Sequence, residues 1–364
     1  MYFRLGSNCV LLTVLVTALA LGACGDTRDD GDGGVPSGDA GMMMMGDDGG
    51  MTGRDAGMLP PPSPLVDPSC TDGMFSEALP DPSADISDLE ASFSEANATM
   101  FITDVLARRY STGRDLVQGG LTARIGNCVE VFGFDLSSPS AIIGRMSTIV
   151  HECGHFYDIE QGGGGNAVYV INDSPLRFSC SGGDTMPRGG NTFARSRIRG
   201  DSYQSLRPPG RGSGMDFYAD TYLDGDPDDG TFEGGDQGFN SLMEETTQYV
   251  NSLAVSYAFT NELNTGGGSS QRDGILTFLW YVMRYLRMAR TDFPSAYDHI
   301  VNGSGGCFRD LILTVWGRAW LYLQTTEGMS HLGLNDDELM VLVMDADLLS
   351  EIQRLREAAG CAAP

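Results

Sequence analysis

The sequence predicts an α+β fold that is rich in helices, contains a small sheet and follows a disordered N-terminal segment. Beyond residue 85, apolar residues recur mostly at helical spacing, which is the primary signal of amphipathic helices. Short strand-like stretches are few, and the region 25–68 lacks aromatic residues altogether. We predict helices over 85–110, from Ser138 to the glycines at 162–165, and over 239–262, 273–290, 308–326 and 336–359.

The N-terminus has the features of a bacterial export signal. Arg4 precedes an apolar run that ends at Leu21 and is too short for a bilayer span, which needs about 20 residues. Leu21-Gly22-Ala23-Cys24 resembles the bacterial lipobox, whose cysteine is diacylated after cleavage before it. We therefore expect a signal peptide at 1–23 and a lipid-modified Cys24 that binds the bilayer; an ordinary signal peptide is the alternative. Gly25 after the cysteine favours the outer membrane of a Gram-negative cell envelope.

Residues 24–68 form a low-complexity segment. They are dominated by Gly and Asp, include consecutive methionines at 42–45 and end in a proline-rich stretch. Such a composition cannot bury enough apolar surface to offset the entropy of ordering, so we predict a disordered tether. The remaining residues, 69–364, suffice for one large domain with its own core.

Charge and cysteine content restrict the partners and the compartment. The net charge of −26 argues against nucleic acid as a partner. An even number of cysteines in an exported domain predicts three disulfides, whose pairing the sequence leaves open. Cys70 and Cys361 stand at the two ends of the domain and could join them. The domain cysteines are Cys70, Cys128, Cys153, Cys180, Cys307 and Cys361.

The region before residue 180 is expected to hold two strands around one long helix. The stretches 128–134 and 166–172 have strand-like patterns. Between them, Ser138 and Pro139 are a typical N-cap and first helical residue. The predicted buried side of the helix comprises Ile142, Ile143, Met146, Ile149, Val150 and Cys153.

A long region, 179–236, is rich in Gly, Asp and Arg and has little periodicity. Loops of this length inside a compact domain are uncommon unless they are functional, so a substrate-facing loop and a solvated insertion both remain open. Its segment 224–230 alternates Asp residues as an EF-hand does, but Asp229 and Gly235 stand where Gly and Glu are required. A Ca²⁺ site there is the weaker alternative to a simple acidic turn.

His151-Glu152-Cys153-Gly154-His155 is the most specific motif of the chain. Two imidazoles four residues apart share one helix face, with a carboxylate beside the first, as in zinc hydrolases. At about 100° per residue, Cys153 lies about 200° from His151, so we expect it in the core or in a disulfide and not at a metal. A catalytic zinc takes three protein ligands and leaves one position for water, so one ligand is missing from the motif.

The third ligand is expected on the helix that carries Glu244 and Glu245. This pair of motifs resembles the gluzincins, zinc peptidases whose third ligand is a glutamate on a later helix. The segment from His151 to Asp158 is similar to the His-Glu-x-Gly-His-x-x-Asp segment of lethal-factor-like members. Asp158 and Gln161 occupy the positions that the metzincin extension reserves for Gly and His, so that class is excluded. The resemblance covers these two helices and implies a zincin-like domain over 69–364.

Two neighbouring glutamates compete for the ligand role. In thermolysin-like enzymes the ligand is followed by an acidic or polar residue at plus four and by apolar residues at plus two, five, six and nine; counted from Glu244, only Thr246 at plus two departs from this pattern. Glu244 fits this pattern with Gln248 at plus four, and it is our preferred ligand. Glu245 is rotated toward the buried side of the helix, where a metal would stabilise a carboxylate, and is nearly equal. Both could instead be solvated helix acids.

The resemblance implies a zinc ion held by His151, His155 and Glu244, and hydrolysis of peptide bonds with Glu152 as the general base. Lethal-factor-like enzymes place an oxyanion-stabilising Tyr seven residues before the ligand, where this chain has Gln237 or Gly238. The open candidates for that role are Tyr218, Tyr222, Tyr249, His299 and His331.

The sequence thus predicts a membrane-anchored zinc peptidase that acts on proteins or peptides outside the cytoplasm. One alternative is a noncatalytic surface lipoprotein that uses the same scaffold for binding or adhesion. Another is a protein whose zinc only joins the two helices.

Overall fold

The computed structural model describes residues 66–163, 167–174, 176–183, 193–199, 218–223, 238–263 and 270–361. These residues are mostly helical and include one two-stranded antiparallel sheet, in agreement with the expected helix-rich α+β class. Strand β1 (Ala167–Val170) pairs with β2 (Arg177–Cys180). The helices are α1 (Thr71–Met74), α2 (Ser87–Ala91), α3 (Ala98–Arg109), α4 (Ser111–Leu121), α5 (Cys128–Phe132), α6 (Pro139–Gln161), α7 (Ala219–Tyr222), α8 (Phe239–Ala258), α9 (Thr260–Leu263), α10 (Gln271–Asp292), α11 (Pro294–Asn302), α12 (Cys307–Thr325), α13 (Asp336–Val343) and α14 (Ala346–Ala358).

Helix α6 is the central element, packed against α4 on one side and α8 on the other. It begins as expected, because the Ser138 hydroxyl accepts a hydrogen bond from the Ala141 N–H at 3.2 Å and Pro139 occupies the first turn. It ends at Gly162, and Gly163 follows with a φ of +56° that glycine adopts without strain. All six residues of its predicted buried side are buried.

Three predicted helices are divided in the structure. The stretch 239–262 contains α8 and α9, which are separated at Phe259, and the other two are each divided by a capping residue. The stretch 85–110 contains α2 and α3, and between them Ser94 and Asn97 form a capping box that starts a new helix. The stretch 336–359 contains α13 and α14, and the Asp345 carboxylate caps α14 by accepting from the Leu348 N–H at 3.0 Å. Apolar periodicity continued across both breaks, which is why the sequence predicted single helices.

The strand predicted over 128–134 is wrong. This stretch holds the short helix α5, because the Asn127 side chain accepts from the N–H groups of Val129 and Glu130 at 3.0 and 3.3 Å. Cys128, Val129 and Phe132 are buried while Val131 is exposed, which is a helical pattern and not an alternating one. N-capping and burial therefore overcome the preference of Val and Phe for strands.

The predicted strand at 166–172 is confirmed as β1, whereas β2 was not predicted. Most of the long region 179–236 lies outside the described residues, and so do the suggested calcium segment 224–230 and the tether up to residue 65. Two described pieces are a 3₁₀ helix, Arg195–Arg199, and α7. Two residues before the 3₁₀ helix, the Phe193 carbonyl accepts from the Tyr285 hydroxyl at 2.5 Å, which fixes this segment against α10.

Three disulfides close the domain, as the even cysteine count predicted. They join Cys70 to Cys361, Cys128 to Cys153, and Cys180 to Cys307. The first pair links the two ends of the domain, in agreement with its position in the sequence. Within the described ranges, none of the helices has the length and hydropathy that a bilayer crossing requires.

Candidate metal centre

The two motif histidines meet a glutamate where α6 lies against α8. His151 and His155 project from α6, and Glu245 faces them from α8, with one ligand atom of each within 4.8 Å of the others. The Glu245 Oε2 atom is 3.5 Å from His151 Nε2 and 3.7 Å from His155 Nε2. Their residual exposures are 8%, 6% and 8%, so water scarcely competes for these groups.

Each histidine ring is oriented by a hydrogen bond at its Nδ1 atom. His151 Nδ1 lies 3.0 Å from the Ser252 hydroxyl, and His155 Nδ1 lies 2.5 Å from a carboxylate oxygen of Glu244. A carboxylate only accepts, so it places a proton on His155 Nδ1. Both Nε2 atoms are thereby left to face Glu245, in the manner of metal-bound imidazoles that are fixed by an outer acceptor.

Glu245, and not the preferred Glu244, completes the cluster. Glu245 belongs to the buried side of α8, while the Glu244 side chain retains 23% exposure and turns to the outer nitrogen of His155. The sequence pattern ranked Glu244 first because it weighed spacing along one helix. The packing of α8 against α6 determines which glutamate faces the histidines, because it places the buried face of α8 opposite the Nε2 atoms of His151 and His155.

The donor set fits a metal ion such as Zn²⁺. The Glu245 Oε2 atom is fully buried, and no protein group in the described part of the chain hydrogen-bonds to it. A buried carboxylate oxygen without a partner is costly unless a cation satisfies it. Two imidazole nitrogens and one carboxylate oxygen are a common zinc ligand set.

Glu152 lies beside the cluster and is also buried. Burial raises the pKa of its carboxyl to about 7, although the two neighbouring histidines act in the opposite direction. Burial by itself lowers the pKa of His155, but the Glu244 and Glu245 carboxylates raise it to about 10. The pKa of Glu245 is raised by burial and lowered more strongly by His155 and His151. A carboxyl group with a pKa near neutrality is suited to accept and release a proton at physiological pH.

Three tyrosines border the site, whereas the two other candidate helpers do not. The Tyr249 ring contacts the His151 ring edge-on, with 5.0 Å between the ring centroids. The Tyr249 hydroxyl lies 3.0 Å from the Tyr222 hydroxyl. Tyr218 contacts both tyrosines through its ring. His299 instead lies 2.9 Å from the Ser181 carbonyl, and His331 lies 2.8 Å from the Thr260 hydroxyl. We therefore assign structural roles to both histidines.

Cys153 points away from the histidines, as its helical angle predicted. Its sulfur forms the disulfide with Cys128 on α5. Gly120 of α4 lies so close that an added Cβ would be 2.7 Å from both the Cys128 sulfur and the Cys153 carbonyl oxygen. The disulfide and the close contact with α4 thus hold α6 in place on the face opposite its histidines.

Several residues at the site were not singled out by the sequence. Ser252 follows Glu245 by seven residues and thus shares its helix face, a spacing that could have revealed it. Arg195 contributes a positive charge that lowers the pKa of Glu245, and its guanidinium lies over the Tyr222 ring at 5.7 Å. The sequence placed Arg195 in an arginine-rich region with little periodicity, but it did not single Arg195 out from the other arginines there. Cys24 lies outside the described residues, so its modification stays a prediction.

Comparisons with protein families, curated sequences and solved structures found no match for this protein. No protein-family model matches the chain, no curated protein matches its sequence, and no solved structure matches its fold. The interpretation of the site therefore depends on its residues and their geometry.

Proposed function

We propose that the protein is a zinc-dependent peptidase of the bacterial cell envelope, anchored in the membrane through Cys24. The observation that carries the proposal is the meeting of His151, His155 and Glu245, with an unsatisfied buried oxygen on Glu245. The resemblance of the motif to gluzincins supports the peptidase activity. The export signal and the three disulfides support a location outside the cytoplasm.

The chain supplies ligands, a base and hydrogen-bond donors. His151, His155 and Glu245 would hold the ion, which would lower the pKa of a bound water and polarise a carbonyl group. The Glu152 carboxylate would take a proton from the attacking water and give it to the leaving amine; burial raises its pKa, which favours proton uptake. Glu244 and Ser252 keep the imidazoles in the required orientation.

The Tyr222 and Tyr249 pair is the best candidate for stabilising negative charge on the substrate. Burial and the nearby Glu245 charge raise the pKa of the Tyr222 hydroxyl well above its usual value, so it stays protonated and can donate. Tyr249 is held in place by stacking on Phe278 at 4.6 Å and by Gly274, where an added Cβ would lie 2.3 Å from the Tyr249 ring. A rigid donor stabilises developing charge without reorganisation.

A structural zinc is the second candidate, and the burial of the cluster favours it. With exposures of 8% or less for His151, His155 and Glu245, an ion there could join α6 to α8 without reaching a substrate. Such a protein would bind zinc and lose stability without it, but would hydrolyse nothing. Binding or adhesion at the cell surface would then be its function.

The test is a glutamate-to-glutamine exchange at position 152. We expect Glu152→Gln to retain one equivalent of zinc and to lose hydrolysis of a quenched fluorescent peptide library. Glu160→Gln is the matched control, because Glu160 lies on the same helix but pairs with Arg124. Undiminished hydrolysis in Glu152→Gln would refute the mechanism. Zinc binding without hydrolysis by the wild-type protein would favour the structural candidate.

A further inference from the structure

A chain of buried polar side chains leads away from the metal centre and is not used by the proposed chemistry. It begins at Asp158 on α6 and continues through Gln248 and Asn251 on α8 to Arg318 on α12. Each of these residues is 3% exposed or less. Burying so many polar groups is costly unless their hydrogen bonds are complete, so their arrangement calls for an explanation.

The first link of the chain joins the two helices of the site. Gln248 Nε2 donates to Asp158 Oδ2 at 3.0 Å, and Asp158 Oδ1 accepts from the Val170 N–H of β1 at 2.9 Å. Asp158 follows His155 by three residues and Gln248 follows Glu244 by four. The Asp158–Gln248 link therefore lies one helical turn beyond the His155–Glu244 contact on both helices.

Gln248 also sets how closely the helices approach. It lies against Gly154 of the motif, where an added Cβ would come within 1.9 Å of the Gln248 Oε1 atom. The same oxygen accepts from Asn251 Nδ2 at 2.9 Å. Both ends of the Gln248 amide are thus used, and its orientation is fixed.

The end of this hydrogen-bonded network that lies farthest from the metal centre is anchored by a buried ion pair. Asn251 Oδ1 accepts from Arg318 at 2.7 Å, and Arg318 Nε donates to the Glu77 carboxylate at 2.9 Å. The Arg318 guanidinium also donates to the Tyr110 hydroxyl at 2.8 Å. The orientation of Asn251, and through it that of Gln248, is therefore set by groups outside the two site helices.

We propose that Asp158 and Gln248, held by Asn251 and Arg318, are positioning residues that fix the rotation of α8 against α6. A rotation of α8 by one residue would replace Glu245 by Glu244 opposite the histidine Nε2 atoms, since neighbouring residues differ by about 100°. The chain of hydrogen bonds selects the arrangement with Glu245 inside and Glu244 on His155 Nδ1. This inference rests on the proposed metal centre.

A pair of exchanges tests the positioning role. Asp158→Asn sets an N–H group against the N–H of either Gln248 or Val170, because the two Asp158 oxygens accept from both. Gln248→Glu sets a second carboxyl group against Asp158. The double variant restores a donor opposite an acceptor and keeps the formal charge of the wild type. Thr247→Val is the control, because Thr247 is equally buried on α8 but bonds only to the Met243 carbonyl of its own helix.

We expect each single variant to weaken Zn²⁺ binding by about tenfold, the lower end of the range for a lost outer partner, because neither residue bonds directly to a proposed ligand; the double variant should recover wild-type affinity. The single exchanges alter the formal charge in opposite directions, so a purely electrostatic effect would move the affinity in opposite directions. A purely structural role would lower the melting temperature and leave the zinc affinity equal to that of Thr247→Val. Either of these results would overturn the proposal.

A metal-free measurement separates this inference from the proposed function. The chain has only four histidines, so the ring N–H signals of His155 are resolvable by ¹⁵N NMR. We expect the His155 Nδ1–H signal to shift or broaden in both single variants and to return in the double variant. An unchanged signal in the single variants would refute positioning, whether or not zinc binds. If one single variant fails to fold, comparison of the other with the double variant decides.

Discussion

Two buried clusters of charged groups contact α8, one at Asn251 and the other at Glu245, less than two turns apart. They differ in how their carboxylate oxygens are satisfied. In the first, the Glu77 carboxylate accepts from Arg318 at 2.9 and 3.0 Å and from the Tyr322 hydroxyl at 2.5 Å. In the second, Glu245 Oε2 is buried, and its nearest donors are the Nε2 atoms of His151 and His155, at the long distances of 3.5 and 3.7 Å. The first cluster is complete with protein groups alone, whereas the second fits an added cation.

We propose that this difference separates a cluster that stabilises the fold from one that forms a metal site. A complete buried network contributes to a unique packing arrangement, and removing one partner leaves an uncompensated charge. The metal centre instead combines Glu152, Glu244 and Glu245 with two histidines, an excess of potential negative charge that a divalent ion offsets. The predictions below test that distinction.

The largest expected effect separates the two neighbouring glutamates. Glu245→Ala removes a ligand and should weaken zinc binding by more than about 100-fold, whereas Glu244→Ala removes only the acceptor for His155 and should cost about 10–100-fold. Competition with a chromophoric chelator measures both affinities. A larger loss in Glu244→Ala than in Glu245→Ala would restore the ligand role to Glu244.

The second prediction compares the clusters by stability. Glu77→Ala leaves the Arg318 charge buried and unpaired, so the free energy of unfolding should fall by about 3–5 kcal/mol. Glu245→Ala should cost clearly less in metal-free protein, because it also removes an unsatisfied buried oxygen. Urea denaturation in the presence of a chelator measures both. Equal losses would mean that the two clusters have the same role.

The disulfide behind the motif should affect stability and not the metal. Replacing both Cys128 and Cys153 by Ala releases a loop with a sequence separation of 25 residues, so we expect a loss of about 3 kcal/mol in the free energy of unfolding. Zinc affinity should stay unchanged in the folded variant, because the Cys153 sulfur lies on the opposite face of α6. A lower zinc affinity in the folded variant would show that the disulfide also affects the geometry of the metal site.

The last effect, and the smallest when counted per pH unit, is the dependence of zinc affinity on pH. Because the pKa of His155 is raised to about 10, this imidazole is protonated below that pH in metal-free protein, and the ion must displace the proton. Zinc affinity should therefore rise about tenfold per unit between pH 6 and 8.5. The same shift stabilises metal-free protein fully below pH 6.5, and this stability is lost as pH rises through 10. An affinity that does not change with pH would contradict the protonated state.

Much of the fold was predictable because local signals agreed with the tertiary structure. Ser138, Pro139 and Gly162 bound α6 where the sequence placed its ends, and its apolar stripe is its buried face. The errors arose where a capping side chain interrupted a continuous apolar pattern, at Asn97 and Asp345. At α5, the Asn127 cap and the disulfide outweighed the strand preference of the intervening residues.

The site was predictable as far as it lies on one helix. Spacing alone placed His151 and His155 together and turned Cys153 away. The third ligand depends on how α8 is rotated against α6, and that rotation is set by contacts between residues distant in sequence. Asp158 and Gln248 are separated by 90 residues, so the patterns within each helix could only leave Glu244 and Glu245 nearly equal.

The most direct test of the central claim is the zinc X-ray absorption spectrum of the purified protein after loading with one equivalent of Zn²⁺ and dialysis. Two histidine nitrogens and a carboxylate oxygen predict a first shell of light atoms at about 2.0–2.2 Å with imidazole scattering from two rings and no sulfur. Glu245→Ala should lose this signal, while Glu244→Ala should keep it at saturating zinc. Failure of the wild-type protein to retain zinc, or a sulfur shell at about 2.3 Å, would contradict the account.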